Sequence, residues 1–165
     1  MYAGIVIDTN NFLNKTGIRT FEAAAFLRRN GADVTRVRKM FRDEMENYQA
    51  KADTVSNAEL LDKDFAISIC ECGGAESKSV IAAQAANDLL NIRGVKASFV
   101  LTEMDGKIYI SARSIDEVNV QIIMEKLGGG GHMTIAGAQL KDVTIEEAKK
   151  QLSDMIRSMK ANKEI

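Results

Sequence analysis

The order of strand and helix patterns over residues 65–160 constrains the fold more than any other feature of the chain. Apolar residues alternate with small or polar ones in some segments and recur every three or four residues in others, which are the periods of strands and helices. This order predicts an α/β domain with a mixed central sheet flanked by helices. We expect strands at 65–71, 95–103, 107–113 and 136–141, and helices at 77–93, 114–127 and 144–160.

Short polar motifs mark the ends of these predicted elements. Asp105–Gly106 lies between two strand patterns and is typical of a two-residue hairpin turn. Ser114 and Glu117 fit the S-x-x-E capping box that opens a helix, and Thr144 and Glu147 form the same kind of box. We therefore expect a helix to begin at each box.

Residues 1–57 have a different organisation. Ala3–Ile7 is a continuous apolar run, which favours a strand buried on both faces of a sheet whose other strands lie outside this chain. We expect a helix at 21–30, and then one long helix that is capped by Asp33 and runs to about residue 57. The sequence thus predicts a helical segment at 1–57, ending in a connector helix, before the α/β domain at 58–165.

Composition excludes several classes of protein. The net charge is −1, whereas a protein that holds long nucleic acid by its phosphates needs a clearly basic face. No run of about 18 apolar residues is present, so we expect no membrane contact by this chain. A disulfide across the single residue between Cys70 and Cys72 would be strained, so we expect reduced thiols in a cytoplasmic protein.

Gly128–Gly131, followed by His132, is the most specific candidate site. Glycines allow positive φ angles and let a ligand approach the backbone closely. Successive N–H groups in such a turn can bind an anion, and a histidine adds a further donor. The alternative is a flexible linker beside a surface histidine, but the run is closely bracketed by a predicted helix and a predicted strand.

Two further residues are candidates for the same chemistry. Arg113 ends a predicted strand, and its forked guanidinium suits a phosphate, although a terminal arginine also serves as a surface ion-pair partner. Asp8 follows the apolar run Ala3–Ile7, at the edge of an α/β sheet where ligands bind. It could be a metal ligand or part of an Asx turn.

Several stretches of the chain resemble one known superfamily. Ile110–Ser114 (ISARS), Asn119–Glu125 (NVQIIME) and Gly128–His132 (GGGGH) are similar to the DHHA1 domain of the DHH phosphoesterases. Ala3–Phe12 and Thr16–Asp33 are similar to the end of their catalytic DHH domain. The sequence of these stretches most resembles the GdpP/YybT group of cyclic-di-AMP phosphodiesterases of Gram-positive bacteria.

The resemblance implies roles for the candidate residues. Asp8 corresponds to the last aspartate ligand of a two-manganese centre. Gly128–Gly131 and His132 correspond to the loop that receives phosphate and nucleotide, and Arg113 to the arginine that pairs with the substrate phosphate. The implied reaction is hydrolysis of cyclic-di-AMP to the linear dinucleotide pApA.

The HxDxD and DHH motifs of the superfamily are absent from this chain, whose single histidine is His132. We therefore expect a C-terminal piece of the enzyme, inactive alone, with a substrate-binding domain at 58–165 and the end of the catalytic domain at 1–57. The longer protein would be membrane-anchored, with this part facing the cytoplasm. The expected partners are cyclic or short linear dinucleotides, and a homodimer is possible.

Two other readings remain open at this point. The chain could belong to a DHH phosphoesterase that degrades oligoribonucleotides or pApA. It could also be a non-catalytic DHHA1 module of the kind that helps alanyl-tRNA synthetases bind RNA, although such a module would need neither the Asp8 segment nor an acidic charge balance.

Overall fold

The computed structural model describes residues 1–13, 16–73 and 77–165. These residues form two compact units, Met1–Asp43 and Glu44–Ile165. The described residues of the first unit form helices α1 (Tyr2–Asp8), α2 (Ile18–Arg29) and α3 (Val34–Met40). The second contains helices α4 (Met45–Ser56), α5 (Lys78–Leu89), α6 (Val120–Lys126) and α7 (Ile145–Ala161), and strands β1 (Glu59–Leu61), β2 (Phe65–Ile69), β3 (Ala97–Met104), β4 (Lys107–Ser114), β5 (Gly130–His132) and β6 (Ile135–Lys141).

The strand predicted at Ala3–Ile7 is wrong, because this run lies inside helix α1. A strand must pair with neighbours to satisfy its backbone, and the described part of the first unit offers none. A helix satisfies the same groups locally. Asp8 is therefore the last residue of a helix and does not follow a buried strand.

The single long helix predicted from Asp33 to about residue 57 is also wrong. Asp33 does cap a helix, since its side chain accepts a hydrogen bond from the Arg36 N–H, but α3 ends at Met40 and α4 begins at Met45. Arg38 and Lys39 lie in the last turn of α3, and Glu46 lies in the first turn of α4. Basic residues are favourable at the C-terminal end of a helix and acidic residues at the N-terminal end. This charge pattern in the sequence therefore indicates a break between α3 and α4.

The six strands of the second unit form one mixed sheet in the order β1-β2-β3-β4-β6-β5. Strands β2 and β3 are parallel, and the other neighbours are antiparallel. This arrangement confirms the predicted α/β domain with a mixed central sheet and flanking helices. Asp105 and Gly106 both have positive φ angles, 51° and 68°, so the predicted two-residue turn between β3 and β4 is confirmed.

Each face of the sheet packs against a different pair of helices. Helices α6 and α7 cover one face, where their apolar side chains meet those of β2, β3, β4 and β6. Helices α5 and α4 pack on the other face, mainly over β2 and β3. Two buried serines attach them there: Ser98 Oγ donates to the Ala86 carbonyl of α5 at 2.6 Å, and Ser68 Oγ donates to the Thr54 carbonyl of α4 at 2.5 Å.

The two predicted capping boxes have different outcomes. Thr144 and Glu147 cap α7 with reciprocal hydrogen bonds, as predicted. The box at Ser114 is wrong: Ser114 is the last residue of β4, and its hydroxyl donates to the Val118 carbonyl at 2.6 Å. Helix α6 instead begins after Asn119, whose side chain accepts a hydrogen bond from Gln121 N–H.

The expectation of reduced thiols also differs from the structure, which joins Cys70 and Cys72 in a disulfide. Their Cα atoms are 5.3 Å apart, within the usual range for a bridge. Both residues are buried under α5. Within the described ranges, no helix has the length and apolar character needed to cross a bilayer.

Candidate functional site

Helix α5 leaves part of its sheet face accessible on β4, β6 and β5. Alternate residues of these strands point to this side, while their neighbours are buried against α6 and α7. We call this surface the open face. Its members are Tyr109, Ser111 and Arg113 of β4, Ile135, Gly137 and Gln139 of β6, and Gly130 and His132 of β5.

Arg113 is a charged residue of the open face that is partly removed from solvent. Its side chain is half-buried, and Nη1 donates to the Ala112 carbonyl at 2.9 Å. Burial lowers the pKa of the guanidinium. No carboxylate in residues 1–13, 16–73 or 77–165 pairs with it. A partly desolvated cation with unused donors is suited to bind an anion from outside the chain.

The strand register brings His132 to the same region as Arg113. Ile135 pairs with Arg113 of β4 on one side and with His132 of β5 on the other. Two strand spacings separate the two residues, about 10 Å between backbones, a distance that two long side chains can span. The structure therefore joins Arg113 and His132, which the sequence separates by 18 residues, on one face.

The glycine run is only partly the predicted turn, because its second half is a strand. The N–H groups of Gly128 and Gly129 donate to the carbonyls of Glu125 and Met124, and so end helix α6. Gly130 and Gly131 belong to strand β5. The predicted anion nest is thus not formed by the first two N–H groups, which are already occupied.

Close packing explains why some of these positions are glycine. A Cβ on Gly129 would lie 2.1 Å from the Gly137 carbonyl oxygen, and one on Gly131 would lie 2.5 Å from Ala136 Cα. Gly131 also has a φ angle of +145°, which other residues rarely adopt. A Cβ on Gly130 would meet nothing within 4 Å. The run therefore lets β5 lie close against β6.

An open cleft of about 340 Å³ lies on this part of the sheet. Its polar lining includes a cross-strand pair in which Gln139 Nε2 donates to Tyr109 Oη at 2.7 Å. The sequence does not reveal Gln139 as a site residue, because the alternation within 136–141 does not show which residue of β4 it faces. The remaining lining residues are Ser79, Ile110, Ser111, Gly128, Gly129, Gly137 and Ala138.

A second cleft, of about 390 Å³, lies among α4, the end of β2 and the start of α7. Asp53, Glu59, Glu71 and Glu146 line it, with Lys149 as the one cation among its described lining residues. Lys149 already pairs with Glu59 at 2.9 Å. Four carboxylates repel a phosphate, so this cleft suits an anionic ligand less than the open face does.

Asp8 is not part of the open face. It is exposed at the end of α1 in the first unit, whereas Arg113, the glycines and His132 lie in the second. Across the described ranges, no three His, Cys, Asp or Glu side chains are grouped so that they could hold a metal ion. These residues therefore do not fit the ligand set of a two-metal centre, for which Asp8 supplies one carboxylate.

Comparison with protein families gives a match to the DHHA1 domain over residues 62–161. The chain belongs to the DHHA1 domain family. This match includes strands β2 to β6 of the sheet and helices α5, α6 and α7. The resemblance inferred from the GGGGH and ISARS motifs is thereby confirmed.

Two curated relatives extend the similarity beyond this domain. The cyclic-di-AMP phosphodiesterase GdpP of Geobacillus thermodenitrificans (strain NG80-2) is 47% identical over 160 residues, covering 94% of this chain and 24% of the relative. The cyclic-di-AMP phosphodiesterase PdeA of Listeria monocytogenes (serotype 1/2a, strain 10403S) is 47% identical over 157 residues, with the same coverages. The chain therefore spans about a quarter of the length of these relatives.

A solved structure supports the fold class. The crystal structure of an exopolyphosphatase-related protein from Bacteroides fragilis aligns with a TM-score of 0.84 and 21% identity. The alignment covers 95% of this chain and 48% of the other. At this identity the likeness shows the fold alone.

Proposed function

We propose that this chain is the dinucleotide-binding part of a longer cyclic-di-AMP phosphodiesterase, which uses manganese to hydrolyse cyclic-di-AMP to pApA. Two relatives that are named cyclic-di-AMP phosphodiesterases are 47% identical to the chain over almost all of its length. The proposal makes a cyclic or short linear dinucleotide the ligand, in keeping with a net charge of −1, which disfavours long nucleic acid. A cytoplasmic location is part of the same proposal.

The observation that carries the proposal is the environment of Arg113. A half-buried guanidinium that has no carboxylate partner in the described residues destabilises the folded chain unless an anion neutralises its charge. The phosphodiester of a dinucleotide is such an anion and can accept two parallel N–H···O bonds from the guanidinium fork. His132, on the same open face, would donate to a second phosphate oxygen and orient the group.

Binding of pApA by the chain, measured by titration calorimetry, tests the proposal. We expect a weak complex, with Kd on the order of 0.1–1 mM. Arg113→Ala should weaken it by about 1.5–3 kcal/mol, roughly 10- to 150-fold, because a charge-assisted hydrogen bond is lost. Arg113→Lys should recover only part of the loss, since a single ammonium cannot form the fork.

The matched control is Arg157→Ala. Arg157 is exposed on α7, on the side of the sheet opposite the open face, and pairs with Asp154 at 3.7 Å. It should bind pApA like the unmodified chain. Equal affinity of the Arg113→Ala and Arg157→Ala chains for pApA would refute the assignment of Arg113.

The lack of a fitting ligand set leads to a second expectation. The chain alone should not hydrolyse cyclic-di-AMP when manganese is added, because its described residues do not group metal ligands. Product formation is followed by chromatography, with a chelator as control. Turnover that requires manganese and stops with the chelator would contradict this part of the proposal.

A further inference from the structure

We propose that Tyr109 and Gln139 form the base-binding end of the open face and select adenine. This inference rests on the proposed function, since it specifies how the same dinucleotide is recognised. Both residues line the cleft of about 340 Å³, away from Arg113 and His132.

Tyr109 contacts one end of the Gln139 amide. The two residues are direct partners in the β4–β6 register, and Gln139 Nε2 donates one N–H to Tyr109 Oη at 2.7 Å. The amide carbonyl and the second N–H have no other partner in the described part of the chain. An amide presenting one acceptor beside one donor complements the N6 amino group and N7 of adenine. Guanine presents two acceptors, O6 and N7, at that edge and leaves the amide carbonyl unsatisfied.

The Tyr109 ring supplies a surface for the base. Its side chain is half-buried, so the ring is held in place while part of it remains accessible. Stacking of a base on an aromatic side chain is a common and strong contribution to the binding of nucleotides. A ring and an amide that meet at one end of a cleft therefore provide both stacking and edge recognition for one base.

The distance from this pair to Arg113 suits a nucleotide. Tyr109 and Arg113 are four residues apart on β4, which is about 13 Å along an extended strand. Between them the floor is formed by small residues, Ser111 of β4 and its partner Gly137 of β6. A ribose and its phosphate can thus lie over Ser111 and Gly137 while the base reaches the Tyr109–Gln139 pair.

The test compares pApA with pGpG, which carry the same phosphates and differ in their bases. Titration calorimetry is performed on the full chain and on Gln139→Ala, Tyr109→Ala and Arg113→Ala. The unmodified chain should prefer pApA to pGpG, and Gln139→Ala should weaken pApA binding about 5- to 50-fold and remove most of that preference. Tyr109→Ala should weaken both ligands, with the larger loss for pApA. Arg113→Ala should weaken both equally and leave the ratio unchanged.

Gln121→Ala is the matched control, because Gln121 lies on α6 and donates to Glu125. It should leave both affinities unchanged, and thermal melts confirm that every variant is folded. If pApA binds but Gln139→Ala keeps the full preference, or if no preference exists, the base-binding inference is overturned while the proposed function stands. If neither dinucleotide binds the unmodified chain, both are overturned.

Discussion

Substitution by alanine should destabilise the chain at Gly131 and have little effect at the adjacent Gly130. Gly131 has a φ angle of +145°, and a Cβ there would lie 2.5 Å from both Ala136 Cα and the Ile135 carbonyl oxygen. Backbone strain at such a position costs about 1–3 kcal/mol. Overpacking against backbone adds about 1–3 kcal/mol. Gly131→Ala should therefore destabilise the β5–β6 pairing by about 2–6 kcal/mol. Because β5 is a three-residue edge strand, it can detach, which limits the loss in global stability.

Gly130→Ala is the control, since its Cβ would point into open space and its φ angle is not positive. Its free energy of unfolding should change by no more than about 0.5 kcal/mol. Urea unfolding gives the stabilities, and amide chemical shifts of residues 128–138 report whether β5 remains paired. An equal loss of stability in Gly130→Ala and Gly131→Ala, or unchanged shifts in Gly131→Ala, would contradict this role of Gly131.

Two further predictions concern the scaffold of the second unit. Thr144→Ala should destabilise the chain by about 1 kcal/mol in urea unfolding, because the N-cap of α7 is lost. Hydrogen bonds from Thr144 lower the pKa of Glu147, so the stability that they add is complete above the ordinary pKa of 4.5 and is lost as the pH falls through the lowered folded pKa. Glu147→Gln should flatten this acid dependence in thermal melts taken from neutral to acidic pH. Ser68→Ala should cost about 1–3 kcal/mol by leaving the buried Thr54 carbonyl without its donor, and an equal cost for the helix-surface control Ser153→Ala would contradict this account.

The sequence predicted the elements of the second unit best where a signal is local. The Asp105–Gly106 turn and the Thr144–Glu147 box depend on neighbouring residues alone, and both are confirmed. The capping box predicted at Ser114 does not form, because Ser114 pairs with Ala97 of β3 as the last residue of β4. Residue type alone could not show where that ladder would stop.

The first unit was predicted less well because its signals depend on context. Ala3–Ile7 is apolar enough for a buried strand, but a strand forms only where neighbouring strands exist. The apolar stripe from Val34 to Val55 fits one helix, although charges of opposite sign at its centre mark two helix ends. Apolar periodicity alone does not show the break between α3 and α4, whereas the charge placement does.

The candidate site shows the same division. Arg113, His132 and the glycines were recognised by their types and motif, and the register then placed them together. The register could not be predicted, so the sequence showed neither the role of Gln139 nor the close packing of Gly129 and Gly131 on β6. The placement of Asp8 with these residues stays a prediction.

The most direct test of the central claim is a chemical-shift titration of the ¹⁵N-labelled chain with cyclic-di-AMP. The largest ligand-dependent shifts should map to residues 109–113, 128–132 and 135–139, which form and border the open face. Shifts confined to the acidic cleft among α4, β2 and α7, or the absence of any saturable shift at millimolar ligand, would contradict the claim that the open face binds a dinucleotide.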